Sequence, residues 1–423
     1  MPTALHHIKR IGLFCLAIGF ILAGSTGCVS SSGYAKKKIT TTPIKTASTE
    51  IPEEELLDIG IPPTEVPELT EKELKKQGTS EEIRRSEGHY IPYHLKSTLQ
   101  NSSNWGAVRV VPAEADDTDL RIETELIESN GEHFHLRVKA VDATGKVWFK
   151  NQYEAVGTSP KYENNVQGQK EVYQNLYNRA SNDLVAFKNR LTPEEIQRIR
   201  TAGQLRFAAE FAPDAFGDFI STDSKTGRIR SHRLPAENDP MWQRVMSIRE
   251  RENMYVDTVN EYYAGYYQNM WDAYQNWRKF NLVERLAVRQ VKKDSIVRTA
   301  TGILLIAAAI ALEVGDVDNT RTLSNIMVLG GGQVMISGIN ISKQAEMHQT
   351  AISELSESFS GEMKPMIVEL EGKKFELSGT VNEQYAQWQD ILRKIYSEET
   401  GFDPDLSTES EDARATATGS STE

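Results

Sequence analysis

The sequence predicts an α+β protein: a small α/β domain with an antiparallel meander, then a mainly helical domain with a long apolar helical hairpin. Three observations carry this. Either side of Asn130-Gly131, apolar and polar residues alternate with the period of a half-buried strand. From 241 to about 295 there is no proline, Gly265 is the only glycine, and aromatic residues recur at helical spacing. Between 301 and 342 two apolar runs flank a polar turn.

A chain of 423 residues can bury two or three cores. Its formal charge of −12 argues against nucleic acid as a partner, because phosphate binding needs a basic face. The basic run "AKKK" at 35–38 is too short to supply one. Both cysteines, Cys15 and Cys28, fall in the first 28 residues. The rest of the chain therefore has no disulfide, thiolate metal site or cysteine nucleophile.

The N-terminus begins with His6, His7, Lys9 and Arg10, followed by the apolar run "IGLFCLAIGFILAG" at 11–24. A membrane-spanning helix needs about 20 apolar residues, whereas this run has the length of a signal-peptide core. Small residues Ser25, Thr26 and Gly27 lead into Cys28. This stretch resembles the lipobox of bacterial lipoproteins, although Ser25 stands where leucine is favoured and Leu22 is the nearest leucine. The resemblance implies a signal peptide at 1–27 and a diacylglycerol on the Cys28 sulfur, with its freed amine usually acylated as well. Val29, rather than an aspartate, implies the outer membrane, with the protein facing the periplasm. Two or three acyl chains, at about 0.8 kcal/mol per buried methylene, anchor stably. Cleavage also removes Lys9 and Arg10, taking the charge from −12 to −14. Without lipidation, the same residues read as an ordinary signal peptide or an uncleaved anchor.

Residues 28–54, rich in Ser, Thr and Lys, read as a flexible tether. The α/β domain is expected over 55–212. "LLDIGI" at 56–61 is its first strand. The stretch 81–100 is helical, with Ile83, Tyr90 and Leu95 facing a core and Pro92 kinking or breaking the helix. "GAVRVVP" is a strand ended by Pro112. "DLRIETELIES" turns Leu120, Ile122, Thr124 and Leu126 to one face. Asn130-Gly131 is a two-residue hairpin signal. "HFHLRVKAV" turns Phe134, Leu136, Val138 and Ala140 inward, and "DATG" leads into "KVWFKNQY". A helix over about 168–190 carries Val172, Leu176, Leu184 and Phe187 as its stripe. Thr192-Pro193-Glu194-Glu195 is a capping box opening another helix, to about 212. On this element order, "WGAVRVVP" and the "DATGKVW" turn, residues 55–190 resemble the small α/β domain of periplasmic lipoproteins. Examples are the curli secretion lipoprotein and the lipoprotein activators of penicillin-binding proteins. The resemblance implies a fold and no site residues.

Residues 213–239 read as a loop, and 240–402 as the helical domain, opening at Asp239-Pro240. Tyr263, Tyr267, Trp271 and Tyr274 share one helical face. That face reads as packing, as a ligand or glycan platform, or as a protein-binding surface. In the hairpin at 301–342, Ala307, Ala308 and Ala311 oppose Gly331 and Gly338, which permits close contact in a buried core or in a membrane. Helix resumes to about 360. Pro365 stops it, and a β-hairpin follows in "PMIVELEGKKFELSG". Thr380 and Glu383 cap a final helix with Val381, Tyr385, Trp388, Ile391, Leu392, Ile395 and Tyr396 on its apolar face. Residues 403–423 form a polar, acidic tail expected to be disordered.

Chemistry-bearing motifs are few. "GGGQVMISG" at 330–338 lacks the Lys-Ser/Thr of a phosphate loop. Asp316 and Asp318 begin like a calcium loop, but Arg321 and Met327 occupy the Gly and Glu positions. His133 and His135 share a strand face without an evident third ligand. No cofactor, metal or catalytic residue is therefore expected, and Cys28 is the one predicted site. The expected function is a non-catalytic scaffold or assembly factor that binds other envelope proteins, with homo-oligomerisation left open. The alternatives are a membrane-inserting oligomer contributing to an export channel, and an envelope hydrolase using a carboxylate pair.

Overall fold

The first strand is short and wholly buried. β1 (Ile59–Ile61) is apolar throughout, and it lies inside a sheet where both of its edges are used. The computed structural model describes residues 41–115, 117–158, 161, 170–236, 238–311, 347–359, 363–370 and 373–401. After β1 come two helices, α1 (Glu71–Gln77) and α2 (Glu81–Gln100), and then β2 (Val108–Val110). The meander follows as β3 (Leu120–Ser129), β4 (His133–Asp142) and β5 (Val147–Val156). Strand order is β2-β1-β3-β4-β5, with β1 parallel to both neighbours and the meander antiparallel.

The alternation read from the sequence sets the faces. Leu120, Ile122, Leu126, Phe134, Leu136, Val138 and Ala140 are buried. The opposite face carries cross-strand ion pairs, Lys139–Glu123 at 2.8 Å and Arg137–Glu125. At the first hairpin Gly131 has φ +75°, and a Cβ there would collide with the Arg278 carbonyl. Glycine is thus required twice over, by conformation and by close approach.

α2 contains Pro92 and remains one helix. A proline lacks the N–H that would bond the carbonyl four residues back. That carbonyl, on Gly88, instead accepts the Thr64 N–H at 2.9 Å. The expected break is thereby avoided: a neighbouring segment fills the vacancy.

α3 (Gln174–Lys188) and α4 (Pro193–Phe211) follow, the latter with the Thr192/Glu195 capping box in place. The stretch expected as a loop over 213–239 contains α5 (Pro213–Phe216) and a small hairpin, β6 (Ile220–Thr222) and β7 (Ile229–Ser231). α6 (Pro240–Ala311) is a 72-residue helix, roughly 108 Å long. Asp239 Oδ1 accepts the N–H groups of Met241 and Trp242 at its start. Residues 347–359 form α7. β8 (Met363–Leu370) and β9 (Lys373–Gly379) pair antiparallel, and α8 (Val381–Thr400) closes the fold behind the Thr380/Glu383 capping box.

Two apolar cores result. One lies between the sheet, α2 and α3. The other gathers α4, α8 and the aromatic face of α6, with Ile83 and Tyr90 from the first half of α2.

Two further sequence expectations need correction. The apolar hairpin over 301–342 is not seen: residues 301–311 continue α6, and 312–342 lie outside the described residues. Among the described residues no helix is long and apolar enough to cross a membrane. The tether expected over 28–54 is docked along its second half. Asn182 joins Lys45 N–H (2.7 Å) and the Pro43 carbonyl (2.9 Å), and Ala47 N–H reaches the Ser102 carbonyl (3.0 Å). Arg200 and Gln197 hold the Glu53 and Glu54 carbonyls.

Trp388 is 2% exposed and lies against Tyr255 of α6. Trp388→Ala is expected to cost about 3–5 kcal/mol. An unchanged midpoint in chemical denaturation would show that α8 does not depend on this contact.

Candidate functional site

α6 crosses α2 on an aromatic face. Tyr267 stacks on Tyr90 with ring centroids 4.6 Å apart, and Tyr274 meets the same ring at 4.8 Å. Tyr263 and Tyr274 are buried, while Tyr267 and Trp271 are half-buried, so this stripe is a packing surface. The Tyr267 and Tyr274 hydroxyls are engaged. Tyr267 pairs with His94 Nδ1 at 2.7 Å, and His94 Nε2 meets Gln174 Oε1 at 2.9 Å.

Beneath the rings lies an ion pair closed off from solvent. Arg278 Nη1 and Nη2 hold the two oxygens of Glu171 at 2.7 and 2.8 Å, with side chains 1% and 0% exposed. Glu171 also accepts from the Tyr90 hydroxyl (3.0 Å), Gln275 Nε2 (3.1 Å) and the Tyr173 N–H (3.2 Å). The Arg278 guanidinium sits 4.1 Å over the Tyr274 ring and 4.9 Å over that of Tyr173. Burial pushes the Glu171 carboxyl up, but the Arg278 charge and its hydrogen bonds outweigh burial and bring it to about 2. Glu87, one stripe away on α2, goes the other way. Burial raises it to about 6, even though Ser129 and Tyr274 donate to it. Arg84 is buried beside it and donates to the Leu126 (3.1 Å) and Pro67 (3.2 Å) carbonyls.

This cluster fixes helices rather than meeting a ligand, since its members are covered. The sequence did carry a signal for it. Arg278 extends the stripe of Trp271 and Tyr274, and Glu87 falls between Ile83 and Tyr90, so both charges occupy positions the helical period assigns to the core.

The open surface lies one turn further along α6. A cleft of about 1080 Å³ runs between the α1–α2 corner, the β3–β4 turn, α6 and α7. Asn281 sets its floor, with Nδ2 donating to the Gly78 carbonyl (2.5 Å) and the Asn130 carbonyl (3.2 Å). Gly78 caps α1 with φ +68°, next to Arg285, whose Nη1 donates to the Gln77 carbonyl at 2.7 Å. Arg289 pairs with Glu132, and Lys75 and Lys76 complete a charged rim. One apolar side chain of the lining stays in water: Val288 is 47% exposed.

The residues singled out in the sequence do not converge on this cleft. His133 lines it, 3.7 Å from Glu132, whereas His135 lies on the outer sheet face by Gln152. Among the described residues no three of His, Cys, Asp and Glu are grouped to hold a metal ion. Cys28, the acids at 316 and 318 and the glycines at 330–338 lie outside the described residues. No protein-family model matches this chain, and no curated protein matches it in sequence.

Arg278→Met leaves a carboxylate buried without its charge partner and is expected to cost about 3–5 kcal/mol. Glu171→Leu combined with Arg278→Met should recover more than half of that loss in urea denaturation. The pair also sets the acid limb of stability. Glu171 is held below its ordinary 4.5, so its contribution is present above that value and lost as the pH falls towards 2. The double variant should lose less stability than the native chain between pH 4.5 and pH 2.5.

Proposed function

We propose that this chain is a lipid-anchored protein of the cell envelope, acting as a non-catalytic scaffold that binds other envelope proteins through the cleft beside α6. The observation that carries the binding role is the cleft itself. It is open, its walls are tied together by Asn281, and exposed Val288 lies with Trp277 inside a rim that includes Lys75, Lys76, Arg285 and Arg289. Apolar contacts inside a charged rim suit a protein partner. The Glu171–Arg278 pair lies close along α6, so the surface is presented on a rigid helix.

The anchoring role rests on the residues leading to Cys28 and on Val29 after it, which point to the outer membrane and its periplasmic face. The segment from Pro43 onward is docked on the body of the protein. It leaves only residues 29–42 between the lipid and the body, a reach of at most about 50 Å. A charge of −14 after cleavage disfavours nucleic acid as a partner.

Cys28→Ala should abolish incorporation of labelled palmitate, and persisting label would refute the attachment site. Cys15→Ala should have no effect on the label. A photo-crosslinking residue at Val288 should capture discrete protein partners in intact cells, whereas the same group at exposed Lys225, on the β6–β7 turn, should not. Equal capture at both positions would remove the cleft from the account.

A further inference from the structure

The C-terminal helix is seated on α6 around a buried carboxylate. Glu252 of α6 is 2% exposed. It accepts the Tyr385 hydroxyl and Gln389 Nε2 (3.0 Å) from α8, and Gln389 also reaches the Tyr385 oxygen at 2.8 Å. Beside them is a cavity of about 80 Å³, room for a few waters at most. Like charges enclose it. Asp117 and Glu114 face it from the segment before β3, and Glu210 faces it from α4. The cations present are Arg393 of α8, lining the cavity, and Arg249 of α6. Arg249 is committed to Asp117: its Nη2 donates to the Asp117 carbonyl at 2.7 Å, and its Nε lies 3.7 Å from the carboxylate. Among the described residues, Glu252 thus has two neutral donors, no bonded cation and three carboxylates around the cavity beside it.

We propose that Glu252 is a proton-operated latch on the C-terminal helix: protonated, it lets α8 seat tightly on α6, and ionised, it repels Asp117 and Glu210 and loosens that seat. The seat has other holds. Tyr255 donates to the Val381 carbonyl at 3.1 Å, Arg244 pairs with Glu399 at 3.0 Å, and Trp388 and Leu392 are buried. Ionisation therefore loosens α8 without releasing it. The direction agrees with the environment: burial first, then the Asp117 charge, raises the Glu252 carboxyl from 4.5 to about 7. A carboxyl raised in the docked state binds its proton more tightly there than when undocked. Its contribution to docking is present below 4.5 and disappears as the pH rises through about 7.

The test is amide hydrogen exchange on the full chain, at pH 6 and pH 8, corrected for the intrinsic pH dependence of exchange. Protection across residues 385–396 should fall by about tenfold between the two. Glu252→Gln keeps the shape and the acceptor but cannot ionise, and should abolish the fall. Protection across 176–184 in α3, in the other core, should not respond to that substitution. Equal protection of 385–396 at both pH values overturns the proposal, as does a fall that persists in Glu252→Gln or a matching response in α3. Should the Gln variant fail to fold, Asp117→Asn should move the midpoint of the fall to lower pH, and an unmoved midpoint overturns the latch.

Discussion

The pairing of Arg278 with Glu171 is the constraint on which the arrangement of α6 depends. Two charges in a closed interior are costly unless each is matched, and here the two terminal guanidinium nitrogens, Nη1 and Nη2, each meet one carboxylate oxygen. A long helix with rings along one face has several similar ways to lie on its neighbours. A bidentate pair has one. It ties α6 to the segment entering α3, and Tyr90 extends the tie to α2. Once that register is set, Tyr274 falls over Glu87, Asn281 over the Gly78 and Asn130 carbonyls, and Arg289 beside Glu132.

The interface of α6 is an apolar core rich in rings, threaded by polar links. Tyrosine fills space with its ring and brings a donor to the far end. Tyr90, Tyr274 and Tyr385 each spend that donor on a buried carboxylate, and Tyr267 spends its own on a buried imidazole. The carboxylates then differ by what else they meet. Glu171 has a cation in contact and stays ionised far into acid. Glu87 and Glu252 have hydroxyl donors without a bonded cation, and burial raises them towards neutrality. Solvent pH therefore acts on Glu171 and on Glu252 with opposite signs.

The cleft follows from the same docking. Its walls come from segments more than 200 residues apart, α1 and the second half of α6, and Asn281 spans them. Gly78 and Gly131 stand where the chain must turn with positive φ and lie close to α6, so the site depends on two positions without side chains.

The sequence by itself determined what is decided within a few residues. The alternation in 120–140, the turn at Asn130-Gly131, the capping boxes at Thr192 and Thr380 and the buried stripe around Trp388 were legible because neighbours along the chain set them. Tertiary structure decided the rest. Pro92 stays inside a helix because Thr64 bonds the carbonyl that proline leaves open. β1 lies between β2 and β3, and the segment from Pro43 is bound through Asn182, by pairings that no local pattern announces. The stripes on α2 and α6 showed which positions would be covered. They could not show that Glu87 and Arg278 would be covered by each other's neighbours, because compensation of a buried charge is a property of two distant segments brought into contact.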